Sequence, residues 1–330
     1  MKVCVVGPYT LPMSIGGFQS QVYHIYEGLK KLGVNVSWFS FEPNSFEDFD
    51  ILQVMSTEPS MMWMMRRAQN KGAKIVLTPM QGSRIYSDNY LRLCLYLSRI
   101  PKLCTPNRMT YDTIRCADYL TPLCSFEANR LSKLYKIDKD IISIIPNGID
   151  DVFLNDDVPA INLPFSDYLL IVGRIEHNKN QLALIEAANS LNKNLIIVGE
   201  SGAAGNDYLK KCKAIAGKNV HFWGIEKSPQ IMKALYKNAK LTVIPSFSEM
   251  VPLVAFESLS QKTPVICTNR CGIAGDEIPG LLFSDISKND LSNSISQMWG
   301  FDRELVTNKG IYTWLDIARM YKAVYEKLLG

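Results

Sequence analysis

The feature that most constrains this chain is an alternation of short β-rich runs with helix-patterned segments, carried through twice. Parallel neighbours in one sheet need a crossover between them, and the usual crossover is a helix, so this alternation predicts parallel sheets wrapped by helices. In the first half the expected strands are Val3 to Gly7, Val34 to Phe41, Ile51 to Met55, Lys74 to Pro79 and Ile141 to Pro146. Between the first two, Gln19 to Leu32 carries Val22, Ile25, Tyr26 and Leu29 on one helix face, and Gly33 supplies the stop. The pattern restarts after Asn147-Gly148-Ile149-Asp150 and a loop rich in Asp, Asn and Pro. Tyr168 to Gly173, Leu195 to Gly199, Val220 to Trp223, Leu241 to Pro245 and Val265 to Thr268 read as strands, with helices over Gln181 to Leu191 and Pro229 to Ala239. Leu315 to Leu329 places Ile317, Met320, Tyr321, Val324 and Leu328 on one face with no strand after it, so it is a terminal helix in need of a core. The expected architecture is α/β, with two Rossmann-like doubly wound domains at 1–155 and 160–314 and a final helix at 315–330. A chain of 330 residues, 47% of them hydrophobic, can build both cores.

Several function classes are excluded early. Met1 to Val6 is a short apolar run halted by Gly7-Pro8, unlike a secretory signal, and the densest apolar window, Met61 to Met65, stops at Arg66-Arg67, far short of a spanning helix. The expectation is a cytoplasmic protein. Eight scattered cysteines with no C-x-x-C pair and three histidines give no zinc set, so reduced thiols and no metal are expected. Neither Gly7-Pro8 nor Gly199-Glu200-Ser201-Gly202 supplies a G-x-G-x-x-G turn, which disfavours a nicotinamide dehydrogenase; no cofactor is expected.

The sharpest chemical signal is Pro245 to Glu257, in which a strand ends and a helix begins near Val251. Free N–H groups and the positive dipole end of such a helix suit a pyrophosphate. Glu249 stands before the helix and Glu257 is expected two turns inside it, so the two carboxylates can accept hydrogen bonds from different hydroxyl groups of one ligand. A second strand end, Val172-Gly173-Arg174 followed by Lys179, places two cations near a turn; ligands of open α/β sheets bind beyond such strand ends, and Arg and Lys both suit phosphate oxygens. Gly16-Gly17 opens the first helix and again offers backbone N–H groups. A capping glutamate, a solvated glutamate and surface salt bridges are the alternatives for these groups. Of the histidines, only His177 falls near the expected site; His24 lies on a helix and His221 at a strand start.

Taken in order, these segments resemble glycosyltransferase family 4, whose members have the GT-B fold. The resemblance runs through Gly16-Gly17, Ile145 to Asp150, Val172-Gly173-Arg174 with Lys179, Val220 to Gly224, Glu249 to Glu257 as E-x7-E, and Lys262 to Val265. It implies two domains facing a cleft and a crossover helix returning to the N-terminal one. It further implies a retaining, metal-independent hexosyltransferase acting on a nucleotide diphosphate sugar, UDP- or GDP-linked, with a glycan or lipid-linked acceptor. Arg174 and Lys179 would bind the diphosphate and stabilise its developing charge, Glu249 the transferred sugar, and Glu257 the ribose. Met250, Val251, Pro252 and Leu253 would line the donor, and Gly16 and Gly17 would close over its phosphates. The chain departs from the family pattern at Met250 and Asn180, where glycine is common, and at Gln81-Gly82, where many relatives carry histidine. Gln81 can hydrogen-bond a sugar hydroxyl but cannot act as acid or base. Two alternatives stay open: a catalytically silent nucleotide-sugar-binding subunit, motivated by Gln81 and Met250, and a nucleotide-sugar epimerase.

The net charge of +4 is uneven, since residues 66 to 115 hold ten Lys and Arg against Asp88 and Asp112, a balance of +8. Within this block Asn89 to Ile100 reads as a helix with Leu91, Leu93, Leu95, Leu97 and Ile100 around much of its circumference and Pro101 at its end. Either the domain core covers that surface, or the basic segment rests on an anionic membrane, peripheral on its inner face. Nucleic acid is not the expected partner.

Overall fold

Val3 to Val6 are all buried, as a strand covered on both faces must be, and β1 (Lys2–Val6) lies inside a five-stranded parallel sheet. The computed structural model describes residues 1–8, 11, 16–40, 49–81, 86–98, 100, 105–202, 206–308 and 310–330. Phe41, Gly82 and Pro101, named above, lie outside them, as do Arg84, Arg99 and Lys102 of the basic block and Cys104 among the cysteines. The chain divides into two units, Met1–Gly148 with Tyr312–Gly330, and Ile149–Ile311.

In the first unit β1 is followed by α1 (Gly17–Lys31), β2 (Asn35–Trp38), β3 (Ile51–Val54), α2 (Pro59–Asn70), β4 (Lys74–Leu77), α3 (Asp88–Leu97), α4 (Pro106–Arg115), β5 (Tyr119–Leu120) and α5 (Ser125–Lys133). The sheet order is β2-β1-β3-β4-β5, all parallel. The expected strand from Ile141 to Pro146 is not one. That segment makes a single bridge, Leu120 to Ile142, and its Ser143 and Ile145 amides bond the carbonyls of Leu120 and Pro122. Pro122 and Pro146 have no N–H with which to continue a ladder, so the fifth strand is the two-residue β5.

The second unit runs β6 (Tyr168–Val172), α6 (Gln181–Ser190), β7 (Asn194–Val198), α7 (Asn206–Ile215), β8 (Val220–Gly224), α8 (Pro229–Asn238), β9 (Leu241–Ile244), α9 (Leu253–Ser260), β10 (Val265–Thr268), β11 (Leu281–Ser284) and α10 (Lys288–Met298). Its six strands are parallel in the order β11-β10-β9-β6-β7-β8, so the chain winds outward from β6 in one direction, then crosses back to β9 and winds in the other. The division between units falls at Gly148 rather than beyond residue 155, because Ile149 and Phe153 pack into the second unit's core with Tyr168, Leu170 and Tyr236.

The terminal helix α11 (Trp314–Leu329) belongs to the first unit. Its start is a capping box: Thr313 Oγ1 accepts from the Asp316 amide at 3.1 Å and Asp316 Oδ2 from the Thr313 amide at 3.1 Å. It meets α1 at Gly28, where a Cβ would stand 2.7 Å from that of Ala318. Its inner face also satisfies a polar residue in the sheet. Gln53, fully buried in β3, accepts from the Tyr325 hydroxyl at 2.9 Å and donates to Thr78 Oγ1 at 3.1 Å, which in turn lies 3.0 Å from the Tyr321 hydroxyl. Tyr325→Phe leaves the Gln53 carbonyl oxygen buried without that donor and is expected to cost about 1–3 kcal/mol, read as a lower thermal midpoint, whereas Tyr325→Leu adds a cavity to the loss.

Candidate functional site

In the second unit the chain reverses its winding between β6 and β9, and the crevice beyond the carboxyl ends of the strands at such a point is where open α/β sheets take ligands. The loops leaving those two strands are fastened residue by residue. The Phe247 amide donates to the Asn178 carbonyl at 2.8 Å, the Asn178 side-chain amide to the Ser248 carbonyl at 3.2 Å, and the His177 and Phe247 rings stack at 4.8 Å. The next pair in this register is Lys179 and Glu249, with Nζ to Oε1 at 2.6 Å. Ser246 Oγ donates to the same Oε1 at 2.6 Å. The side chains are 24% exposed for Lys179 and 13% for Glu249, so the pair is only partly hydrated but open on one side. On its other side the loop is tied down by the Glu249 amide to the Arg270 carbonyl and the Gly272 amide to the Met250 carbonyl.

Two glycines make the approach possible. Gly199, at φ 136°, ends β7 so close to β6 that a Cβ there would stand 2.1 Å from the Gly173 carbonyl oxygen. Gly173, at φ 147°, leaves its open side to the Lys179 chain, whose Cε lies 3.5 Å from where a Cβ would sit. The two departures from glycine also have an account. Asn180 takes a left-handed conformation, φ 55°, which Asn tolerates better than most residues, and its side-chain amide donates to the carbonyls of Pro245 at 3.2 Å and Ile286 at 2.9 Å. Met250 is not in the left-handed region, so its backbone does not require glycine.

Arg174 and Lys179, the two cations near this turn, pair with different carboxylates. Arg174 is 58% exposed and paired with Glu176 at 3.2 Å, while its carbonyl accepts from the Gln181 side chain at 2.8 Å. A one-residue offset from Gly173 and a nearer carboxylate turn it outward from the Lys179 pair. Helix α9 starts at Leu253 after Pro252, later than Val251, so Leu253 and Val254 supply the first-turn amides and Pro252 has none to give. Val251 is buried. Glu257 lies one turn into the helix, not two.

Glu257 opens onto a cavity of about 280 Å³, lined also by Asp150, Gly173, Gly199, Ile225 and Met232. The Tyr236 hydroxyl donates to its Oε2 at 2.7 Å. Burial raises its pKa to about 7, with Asp150 adding to the rise and the Tyr236 hydrogen bond opposing it. Lys179, Glu249, Gly173 and Glu257 therefore border one region of a single unit.

The remaining expected residues belong to the first unit. Gly16, at φ 148°, is the N-cap of α1 and Gly17 its first residue; a Cβ at Gly16 would meet nothing within 4 Å, so the constraint is backbone conformation rather than space. Gln81 is held on both backbone groups: its amide donates to Glu127, and its carbonyl accepts from Arg130 Nη1 at 3.0 Å. Its side-chain amide donates to Thr57 Oγ1 at 2.7 Å, which orients the carbonyl oxygen Oε1 away from that bond. The residue before it, Met80, stands at φ 58°. Sequence reasoning missed Glu127 and Arg130, the charged residues on α5 that support this turn. Glu127 is fully buried, accepts also from the Leu123 amide at 2.7 Å, and has its pKa raised to about 7 by burial.

A sheet that winds both ways from its first strand, with fastened loops and a carboxylate-lined cavity at the reversal, gives the second unit a Rossmann-type doubly wound topology. Residues 163–299 match the family model described as glycosyl transferases group 1. Over 234 residues the chain is 26% identical to a D-inositol 3-phosphate glycosyltransferase of Mycobacteroides abscessus, covering 65% of this chain and 53% of the relative. It spans about half the length of the relatives of that name. An uncharacterised glycosyltransferase of Methanocaldococcus jannaschii is 23% identical over 389 residues, covering 99% of this chain and 98% of the relative. Among solved structures, Anabaena HepE in complex with UDP superposes with a TM-score of 0.72 at 13% identity, covering 99% of this chain and 100% of that one. The fold is of the GT-B type, as the family resemblance implied.

Proposed function

We propose that this chain is a retaining hexosyltransferase that moves a sugar from a nucleotide diphosphate donor, UDP- or GDP-linked, to a glycan or lipid-linked acceptor. The observation that carries the reading is the state of the Lys179–Glu249 pair. Glu249 Oε1 already accepts from Lys179 and Ser246, while among the described residues Oε2 accepts from none, so one carboxylate oxygen is left for a sugar hydroxyl. The ammonium group has three donors and gives one to Glu249, leaving two for phosphate oxygens. Arg174, exposed and paired with Glu176, adds charge to the same anion once it turns inward. Met250 to Leu253 border the diphosphate, Glu257 takes the ribose, and Gly16 and Gly17 offer backbone N–H groups to the phosphates. Gln81 offers Oε1 to a sugar hydroxyl. In a retaining transfer on one face of the sugar, the departing diphosphate oxygen takes the acceptor's proton, so the step does not require a histidine at position 81.

Release of nucleotide diphosphate, followed in a coupled assay across UDP- and GDP-sugars with glycan and lipid-linked acceptors, tests the reading. Absence of turnover and of donor hydrolysis in well-folded protein would defeat it. If donor still bound by calorimetry, the silent subunit that Gln81 motivates would take its place.

The ribose assignment has a pH signature. A carboxylate accepts from both ribose hydroxyls, whereas a protonated carboxyl does not, so donor binding draws on the ionised fraction of Glu257. With the pKa of the free protein at about 7, donor affinity is expected to rise about tenfold from pH 6 to pH 8. Calorimetry at the two pH values checks this, and Glu257→Gln should both weaken binding and abolish the slope.

The basic segment 66–115 is proposed to rest on an anionic membrane surface where a lipid-linked acceptor would be presented. Among the described residues no helix is long and apolar enough to cross a membrane.

A further inference from the structure

Helix α3 is covered on one side only. Leu91 is buried against the core and Leu95 partly so, but Leu93, Leu97 and the following Ile100 are exposed, and Tyr96 is 68% exposed. Beside this apolar surface, between α3, α4 and the end of α5, lies a cavity of about 410 Å³. Leu95, Tyr111 and Leu134 give it an apolar floor, and Arg92, Arg108, Lys133 and Lys136 stand around it. Arg108 is paired with Asp112 at 2.9 Å; among the described residues the other three have no carboxylate partner. The wall is built rather than incidental. Arg115 reaches from α4 to the carbonyls of Tyr135 at 3.3 Å and Lys136 at 3.4 Å, where the chain turns through a left-handed residue at φ 58°. The same guanidinium lies 5.6 Å from the centre of the Tyr111 ring, and that of Arg108 at 5.7 Å.

We propose that this cavity seats the phosphate of an anionic phospholipid, with the exposed side of α3 entering the bilayer interface next to it. Three unpaired cations around one concavity call for an anion. A soluble phosphate would satisfy them but would leave the apolar floor and Leu93, Tyr96 and Leu97 in water, whereas a lipid satisfies both, its headgroup against the cations and its glycerol and first methylenes against the apolar residues. The proposal rests on the membrane reading above and gives it a particular seat in place of a diffuse patch.

Sedimentation of the full chain with vesicles of phosphatidylcholine, alone or mixed with phosphatidylglycerol, tests it. Two variants of equal charge change are compared: Arg92→Gln/Lys133→Gln/Lys136→Gln at the cavity, and Arg66→Gln/Arg67→Gln/Lys71→Gln on and just after α2. The native chain is expected to sediment only with the anionic vesicles. The cavity variant should lose on the order of 100-fold in partition coefficient, and the α2 variant far less. Equal losses would overturn the cavity assignment while leaving membrane binding in place. No sedimentation with anionic vesicles, or equal binding to neutral ones, would overturn the membrane reading itself. Binding of glycerol phosphate by calorimetry that the cavity variant loses, with vesicle sedimentation unchanged in that variant, would point to a soluble phosphate ester and overturn the lipid assignment. An unchanged thermal midpoint in the cavity variant shows that a loss is not one of folding.

Discussion

Lys179→Ala is expected to lower sugar transfer by about 10²–10³-fold, the usual effect of deleting one group aimed at charge that develops in the transition state. The ammonium group bonds Glu249 Oε1 at 2.6 Å, and in the proposed role its other donors meet the leaving diphosphate. Its loss should therefore appear in kcat as well as in donor affinity. Glu249→Gln separates the two effects: Gln keeps an oxygen for Ser246 and for Lys179 but loses the charge, so donor binding should be weakened less than turnover. Neither residue is freely solvated, at 24% and 13% exposure. They are packed against each other between two fastened strand ends, so the thermal midpoint of each variant needs to be recorded beside its rate. Near-native turnover in folded Lys179→Ala would remove the pair from the mechanism.

Arg130→Met is expected to destabilise the first unit by about 3–5 kcal/mol, the range for removing one partner of a buried charged group. The guanidinium is buried and bonds the Asp88 carboxylate at 3.0 Å, the Gln81 carbonyl at 3.0 Å and the Tyr86 carbonyl at 3.1 Å. It also lowers the pKa of Glu127, whose own rise to about 7 comes from burial. Between the ordinary carboxyl value of 4.5 and about 7 the folded protein holds a proton on Glu127 that the unfolded chain releases, so stability falls as pH rises through that window. Without Arg130 the carboxyl is harder still to ionise and the window extends upward. The deficit of Arg130→Met should thus be larger at pH 8 than at pH 5, as read from urea unfolding midpoints; a pH-independent deficit would mean that Arg130 acts through packing alone. A folded remnant should also hold Gln81 less firmly, since its backbone carbonyl loses a donor.

Strand and helix periods were readable for most of the chain because buried parallel strands are uniformly apolar and the helices are one-sided. Val3 to Val6 and Tyr168 to Val172 illustrate the first, and α1 and α11 the second. The reading failed where backbone pairing, not side-chain pattern, decides. Ile141 to Pro146 is as apolar as a strand, yet the neighbouring prolines deny it a ladder, and the two-residue β5 is too short to leave a period.

The candidate site divides the same way. Glu249, Glu257, Arg174 and Lys179 could be picked out because each lies at a fixed offset from a strand end, where a doubly wound sheet exposes its chain. The sequence by itself determined the two parallel α/β units, the strand ends that hold the candidate residues and the basic character of residues 66 to 115, since all of these depend on local period, local punctuation and summed charge. Tertiary structure alone decided that Lys179 meets Glu249 while Arg174 turns to Glu176, that Gln81 is clamped by Glu127 and Arg130 from α5, and that Gln53 finds its partner in Tyr325. Those contacts join residues from distant parts of the chain, or set apart neighbours by one step of backbone direction. Hydrogen bonds and ion pairs act over a few ångströms of space, and spacing along the sequence does not encode which groups the packed helices will bring within that range.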